Sequence, residues 1–178
     1  KKYLELCSNS CSAEIRYAGF LFLSKDFSGA LTMSSQVRQH CDPNNALPIR
    51  ISAYAYYELK DYSKGLTEIE KLFETVPADR RNAKDYEYHG KLLIALNRDS
   101  AGIEMLRSAI GLDPSRAELP SELASAYMKM KDYQAAIQVY EEKKSSGKDL
   151  KVADFFNLGK CLYSVGRYTA ADSAFIRV

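Results

Sequence analysis

The sequence predicts an all-α fold, an array of repeated helix pairs, and three columns of residues predict it. Ala18, Ala53, Gly90, Ala124 and Gly159 recur with gaps of 35, 37, 34 and 35 residues. Ala30, Gly65, Gly102, Ala136 and Ala171 repeat those gaps in the same order. So do the large residues Leu21, Tyr56, Leu93, Tyr127 and Leu162. A period in this range marks a repeat array whose units each bury a face against the next. The small columns imply helix crossings near the short end of the usual interaxial range of about 8–10 Å.

The units are expected at 11–45, 46–82, 83–116, 117–151 and 152–178, the last incomplete, after a tail of a preceding helix at 1–10. In the first, one helix runs from Ser12 to about Leu23 and a second from Phe27 to about His40, with Ser24-Lys25-Asp26 between them. Ile15, Ala18, Leu21 and Phe22, and then Phe27, Ala30, Leu31 and Ser34, recur at helical steps of three and four. The same turn returns as Lys60-Asp61-Tyr62 and Lys131-Asp132-Tyr133. The aspartate suits an N-cap, and the ring after it a wedge between the helices. In the third unit Asn97-Arg98-Asp99 keeps the acid one place later and loses the ring, which predicts a looser pair; Gly166-Arg167-Tyr168 keeps only the ring. Asp42-Pro43, Val76-Pro77 and Asp113-Pro114 end second helices, because proline keeps its predecessor out of the helical region. The fourth unit ends instead at Ser145-Ser146-Gly147, where glycine can cap. The 37-residue gap puts extra chain at 77–82, the first place to look for bending. Both termini read as cuts inside a helical pattern, so the chain reads as part of a longer protein.

Composition narrows the function. With 46% hydrophobic and 27% charged residues the chain can bury a core. Its apolar stretches are too interrupted to span a membrane. A net charge of +2 lacks the basic footprint of a nucleic-acid binder. Only His40 and His89 are available, in different units, so no nucleophile–base arrangement can be assembled. There is no phosphate-cradling glycine loop. The expectation is a non-enzymatic protein with no catalytic residues and no cofactor.

Cys7 and Cys41 occupy matching places in successive units, about a helix diameter apart. That exceeds the ~7 Å limit for a disulfide. Cys7 and Cys11 could bridge only locally, and Cys161 reads as a small buried hydrophobe. The reading is four free thiols. Cys7, Cys11, His40 and Cys41 match no established zinc spacing, so no metal is expected.

The residue types at these steps resemble the tetratricopeptide repeat (TPR) family over nearly the whole chain, and phrases such as 85–91 and 171–175 resemble bacterial multi-TPR proteins, many of them exported. The clearest unit is Phe155-Phe156-Asn157-Leu158-Gly159 followed by Leu162, Gly166, Tyr168, Ala171 and Phe175; the stretch from Leu119 to Tyr140 also matches well. His89, where leucine is usual, and Lys143, where a small residue is usual, depart from the pattern. The resemblance implies a right-handed superhelical α-solenoid whose first helices line a concave groove. It also implies a protein-interaction module, with a cytoplasmic or periplasmic location left open.

On that wall the stripe carries rings with interspersed positive charge, and Tyr and Arg are favoured interface anchors. Arg50, Tyr54, Tyr57, Lys91, Lys129, Phe156, Lys160 and Tyr163 are the expected groove contacts for a protein or peptide partner. The carboxylate clamp of chaperone-binding arrays is missing: its places hold Ile15 and Gly19, then Ile51, then Lys84 and Tyr88. The alternatives are a structural spacer within a longer array, associating through apolar ends at Leu4, Leu6, Phe175 and Val178, or an accessory domain of an exported assembly.

Overall fold

Ten α-helices follow one another in the computed structural model, which describes residues 10–178. They pair as α1 (Cys11–Leu23) with α2 (Phe27–His40), α3 (Ala46–Glu58) with α4 (Tyr62–Thr75), and α5 (Ala83–Ala95) with α6 (Asp99–Leu112). Next come α7 (Leu119–Lys129) with α8 (Tyr133–Ser145), and α9 (Val152–Ser164) with α10 (Tyr168–Phe175). A short 3₁₀ turn, Ala78–Arg80, occupies the extra chain before α5. Successive pairs stack into a right-handed solenoid. The expected tail of a preceding helix, Cys7, Leu4 and Leu6 lie outside the described residues.

One turn is built five times. Lys25, Lys60, Asn97, Lys131 and Gly166 all take a left-handed backbone, with φ between 61° and 79°. The amide of the following residue donates back to Leu21, Tyr56, Leu93, Tyr127 or Leu162, the third sequence column, at 2.8–2.9 Å. The amide of the left-handed residue donates to Phe22, Tyr57, Ile94, Met128 or Tyr163. This is the Schellman pattern, which satisfies the last carbonyls of a helix. The next helix is capped at once: Asp26 accepts from the Gly29 amide at 2.9 Å and Asp132 from that of Ala135 at 3.0 Å. Arg98 and Arg167 offer no such cap. Exit and entry thus share three residues, which holds the two helices antiparallel.

The small columns lie where those helices touch. Ala18, Ala30, Ala53, Ala124, Ala136 and Ala171 are fully buried. In the third pair both positions are glycine, and a Cβ on either would come 2.8 Å from the carbonyl oxygen of the other. The pair without a wedge ring is therefore not loose, contrary to expectation. With no ring to hold the helices apart, two glycines let the backbones meet.

The core runs as two clusters, one about Ile49, Ile69, Leu72 and Leu92, the other about Leu106, Leu123, Ile137 and Tyr140. The joint at 77–82 is closely tied. Arg81 donates to the Val76 and Phe73 carbonyls at 2.8 and 2.6 Å and stacks on the Phe73 ring, which also meets Tyr86 and His89 edge-on.

The cysteine reading needs correction. Cys11, the first residue of α1, and Cys41, just past α2, form a disulfide with a Cα–Cα distance of 6.1 Å. The sequence argument compared equivalent places in neighbouring units. Antiparallel pairing instead brings the start of one helix beside the end of its own partner. Cys161 is free and buried, and burial pushes its thiol pKa up.

Candidate functional site

The inner wall is assembled from α3, α5, α7 and α9, and its centre is a ladder of rings. Tyr54 stacks on Tyr88 with centroids 4.1 Å apart, Phe22 leans on Tyr54 at 6.1 Å, and Tyr57 meets Tyr88 edge-on at 5.4 Å. Such offset and edge-on pairs follow from the quadrupole of each ring. Tyr57 and Tyr163 also hold the wedge rings Tyr62 and Tyr168, at 5.7 and 5.2 Å.

Charge along this ladder is mostly spent internally. Asp85, fully buried as the third residue of α5, closes a capping box with Asn82. The Arg50 guanidinium reaches it from α3 with two nitrogens, at 2.8 and 2.9 Å, and donates to the Arg80 carbonyl. The Tyr54 hydroxyl donates to the same carboxylate at 2.5 Å. Burial, then the Asp85 charge, pushes the Tyr54 pKa far above its ordinary value, which keeps the hydroxyl a donor. Burial opposes the charge on Arg50, but Asp85 outweighs it and raises its pKa. Arg50 and Tyr54 are thus committed to the wall itself.

Lys91 lies one turn on, between Glu87 at 2.5 Å and Glu122 at 2.9 Å, with Arg116 closing the group on the other Glu87 oxygen. Burial works against the Lys91 charge and the two carboxylates more than restore it, so its pKa rises. Burial raises the Glu122 pKa, against the pull of Lys91. Lys129 caps the end of α5, donating to the Ile94 carbonyl at 2.7 Å, Asn97 at 3.0 Å and Asp99 at 2.8 Å.

Between these groups a cleft of about 480 Å³ opens, lined by the apolar Tyr57, Ile94, Ala95, Leu106 and Ala126 and by the polar Ser121, Ser125, Glu122, Lys91 and Lys129. The C-terminal end of the wall differs. Phe156 is 48% and Tyr163 63% exposed, and the Lys160 ammonium lies 5.7 Å over the Phe156 ring with no ion pair among the described residues. Lys84 likewise has no ion pair among the described residues, its ammonium 5.3–5.7 Å from the Phe22, Tyr54 and Tyr88 rings. Tyr57, Lys91 and Lys129 are therefore brought to one cleft, Phe156, Lys160 and Tyr163 to another patch, and Arg50 and Tyr54 to the buried support between rings.

A tetratricopeptide repeat family model matches residues 119–151. The fold is similar to the C-terminal part of a TPR repeat-containing protein from Cytophaga hutchinsonii, with a TM-score of 0.82 and 28% identity over 92% of this chain and 62% of that one. Residues 119–151 match the tetratricopeptide repeat, and the chain as a whole has the fold of a TPR array. It spans less than two thirds of that Cytophaga structure. Two further solved TPR folds are YrrB, with a TM-score of 0.79 and 15% identity over 99% of this chain and 88% of that one, and PilF of Pseudomonas aeruginosa, with 0.74 and 17% over 96% and 75%. No curated protein sequence matches the chain.

TPR arrays are protein-interaction scaffolds, and their stacked pairs create an extended concave surface. Sequence reasoning missed Asp85 as the buried centre of the wall and met Tyr88 only as a place in the absent clamp. The signal for Asp85 was that it and Asp154 stand at the same register. Arg50 sits one 35-residue repeat before Asp85, whereas Lys143 sits only 11 residues before Asp154 and follows no period.

Proposed function

We propose that the concave wall binds an extended segment of a partner protein carrying an apolar side chain next to acidic ones. The observation that carries this reading is the cleft of about 480 Å³ beside Tyr57 and Ile94, apolar on its walls and open on the inner face. Charge complementarity supplies the rest. Arg50, Lys91 and Lys129 are neutralised within the protein, whereas Lys84 and Lys160 lie over rings with no acid paired to them among the described residues. An ammonium held against an aromatic face keeps its charge available to an incoming carboxylate. The exposed Phe156 and Tyr163 extend the apolar track beyond the cleft. YrrB is described as having an unusual peptide-binding site, which is the ligand class this wall fits.

The test is selection of a displayed random-peptide library on the chain, followed by affinity measurement. Selected peptides should pair an apolar residue with Asp or Glu. Ser125→Trp, which fills the cleft from an exposed position, should weaken them at least about tenfold, or about 1.4 kcal/mol. Lys84→Glu and Lys160→Glu should weaken the acidic peptides most. Peptides unaffected by all three changes would overturn the reading.

A further inference from the structure

The far end of the array carries a cluster that the groove does not use. Cys11 opens α1 and Cys41 follows α2, and His40 stands next to Cys41. One ligand atom from each of the three lies within 4.8 Å of the others. Glu14, one turn along α1 from Cys11, places its Oε2 at 2.7 Å from His40 Nε2. Nothing about a disulfide calls for that imidazole–carboxylate pair. It is the arrangement by which a carboxylate fixes the orientation and tautomer of a metal-bound histidine. With Nε2 taken by Glu14, Nδ1 is the nitrogen left to coordinate.

We propose that this corner, once its disulfide is reduced, binds one thiophilic divalent metal ion, Zn²⁺ first among them, through Cys11 Sγ, Cys41 Sγ and His40. Two Zn–S bonds of about 2.3 Å at a tetrahedral angle hold their sulfurs about 3.8 Å apart. The 6.1 Å between the two Cα atoms accommodates that with side-chain rotation. Three protein ligands leave a fourth position for water or for another ligand. The sequence argument against a metal rested on linear spacing, but here the donors come from two antiparallel helix ends.

The chemistry is mutually exclusive. A thiol reductant delivers two electrons and two protons, opens the Cys11–Cys41 bond and leaves as its own disulfide. The ion then displaces the two thiol protons. Because the same sulfurs serve both states, metal occupancy reports the redox state of the corner. Cys41 is half-buried and Cys11 and His40 are exposed, so both the reductant and the ion have access.

The experiment titrates the full chain with Co²⁺ and then Zn²⁺, oxidised and reduced, without oxygen. Thiolate-to-cobalt absorbance and calorimetry are the readouts. One equivalent should bind to the reduced chain and none to the oxidised one. His40→Ala, which keeps the disulfide and so can be checked for folding in the oxidised state, should weaken binding at least about tenfold. Glu14→Gln should weaken it about 10–100-fold. Failure of the reduced, still helical chain to bind either ion, or parental binding by His40→Ala, would overturn the proposal.

Discussion

Asp85 and Asp154 occupy the same register, three residues into α5 and α9, and each accepts the amide of its N-cap residue at 2.9 Å. They are otherwise held in different ways. Asp85 is met from the preceding first helix by Arg50 and Tyr54, so its support is part of the groove wall. Asp154 is met from the preceding second helix by Lys143, at 2.7 Å, and Lys143 also donates to Ser121 at 2.8 Å. Burial opposes the Asp154 charge, and the Lys143, Lys151 and Ser121 contacts together lower its pKa. One joint spends its buried acid on shaping the inner wall; the other spends it on locking three helices from within.

That difference predicts unequal rescue. Asp85→Ala and Lys143→Ala should each cost about 3–5 kcal/mol in chemical denaturation, because each strands a buried charge. Replacing both partners with apolar residues is often close to neutral. Lys143→Met with Asp154→Leu should therefore recover most of the loss. Arg50→Met with Asp85→Leu should not, since the Tyr54 hydroxyl loses its acceptor at a further cost of about 1–3 kcal/mol. Equal recovery would remove the distinction between the joints.

Glycine substitutions sharpen the same contrast with a smaller effect. A Cβ at Gly90 meets the Gly102 carbonyl oxygen, which is backbone and fixed, while one at Gly159 meets the Phe175 ring at 2.5 Å. Gly90→Ala should destabilise by about 1–3 kcal/mol, as overpacking does. For Gly159→Ala the loss should be under about 1 kcal/mol, because a side chain at the last helix can turn aside and alanine favours helix. A reversed order would mean that the third pair can open after all.

A further effect is in pH. Burial first, then Arg98 and Arg81, lowers the His89 pKa from 6.5 to about 4. The unfolded chain takes up that proton sooner, so this contribution is complete above pH 6.5 and is lost as the pH falls towards 4. Allowing for partial exposure, the loss is on the order of 1–2 kcal/mol. His89→Leu should flatten the melting temperature between pH 6.5 and 5. The joint at Asp154 has no histidine, so an unchanged slope would place the titrating group elsewhere.

The helices, their turns and the small columns were legible in the sequence because they rest on period and on local capping. The groove stripe was legible for the same reason, and it did hold Tyr57, Lys91 and Lys129 about one cleft. Which charges were already taken was not. Arg50 carries the signature of a free groove cation until Asp85 is brought against it from the next unit. Cys11 and Cys41 escaped notice because their proximity comes from helix ends meeting within one pair, not from equivalence between pairs.

The turn within each helix pair is closed by bonds reaching back no more than five residues, ending on the carbonyls of Leu21, Tyr56, Leu93, Tyr127 and Leu162. Each hairpin can therefore begin to form from its own chain segment before any distant neighbour arrives. Such locality keeps contact order low and favours rapid folding. It also gives the array several independent places from which order can spread in both directions along the chain.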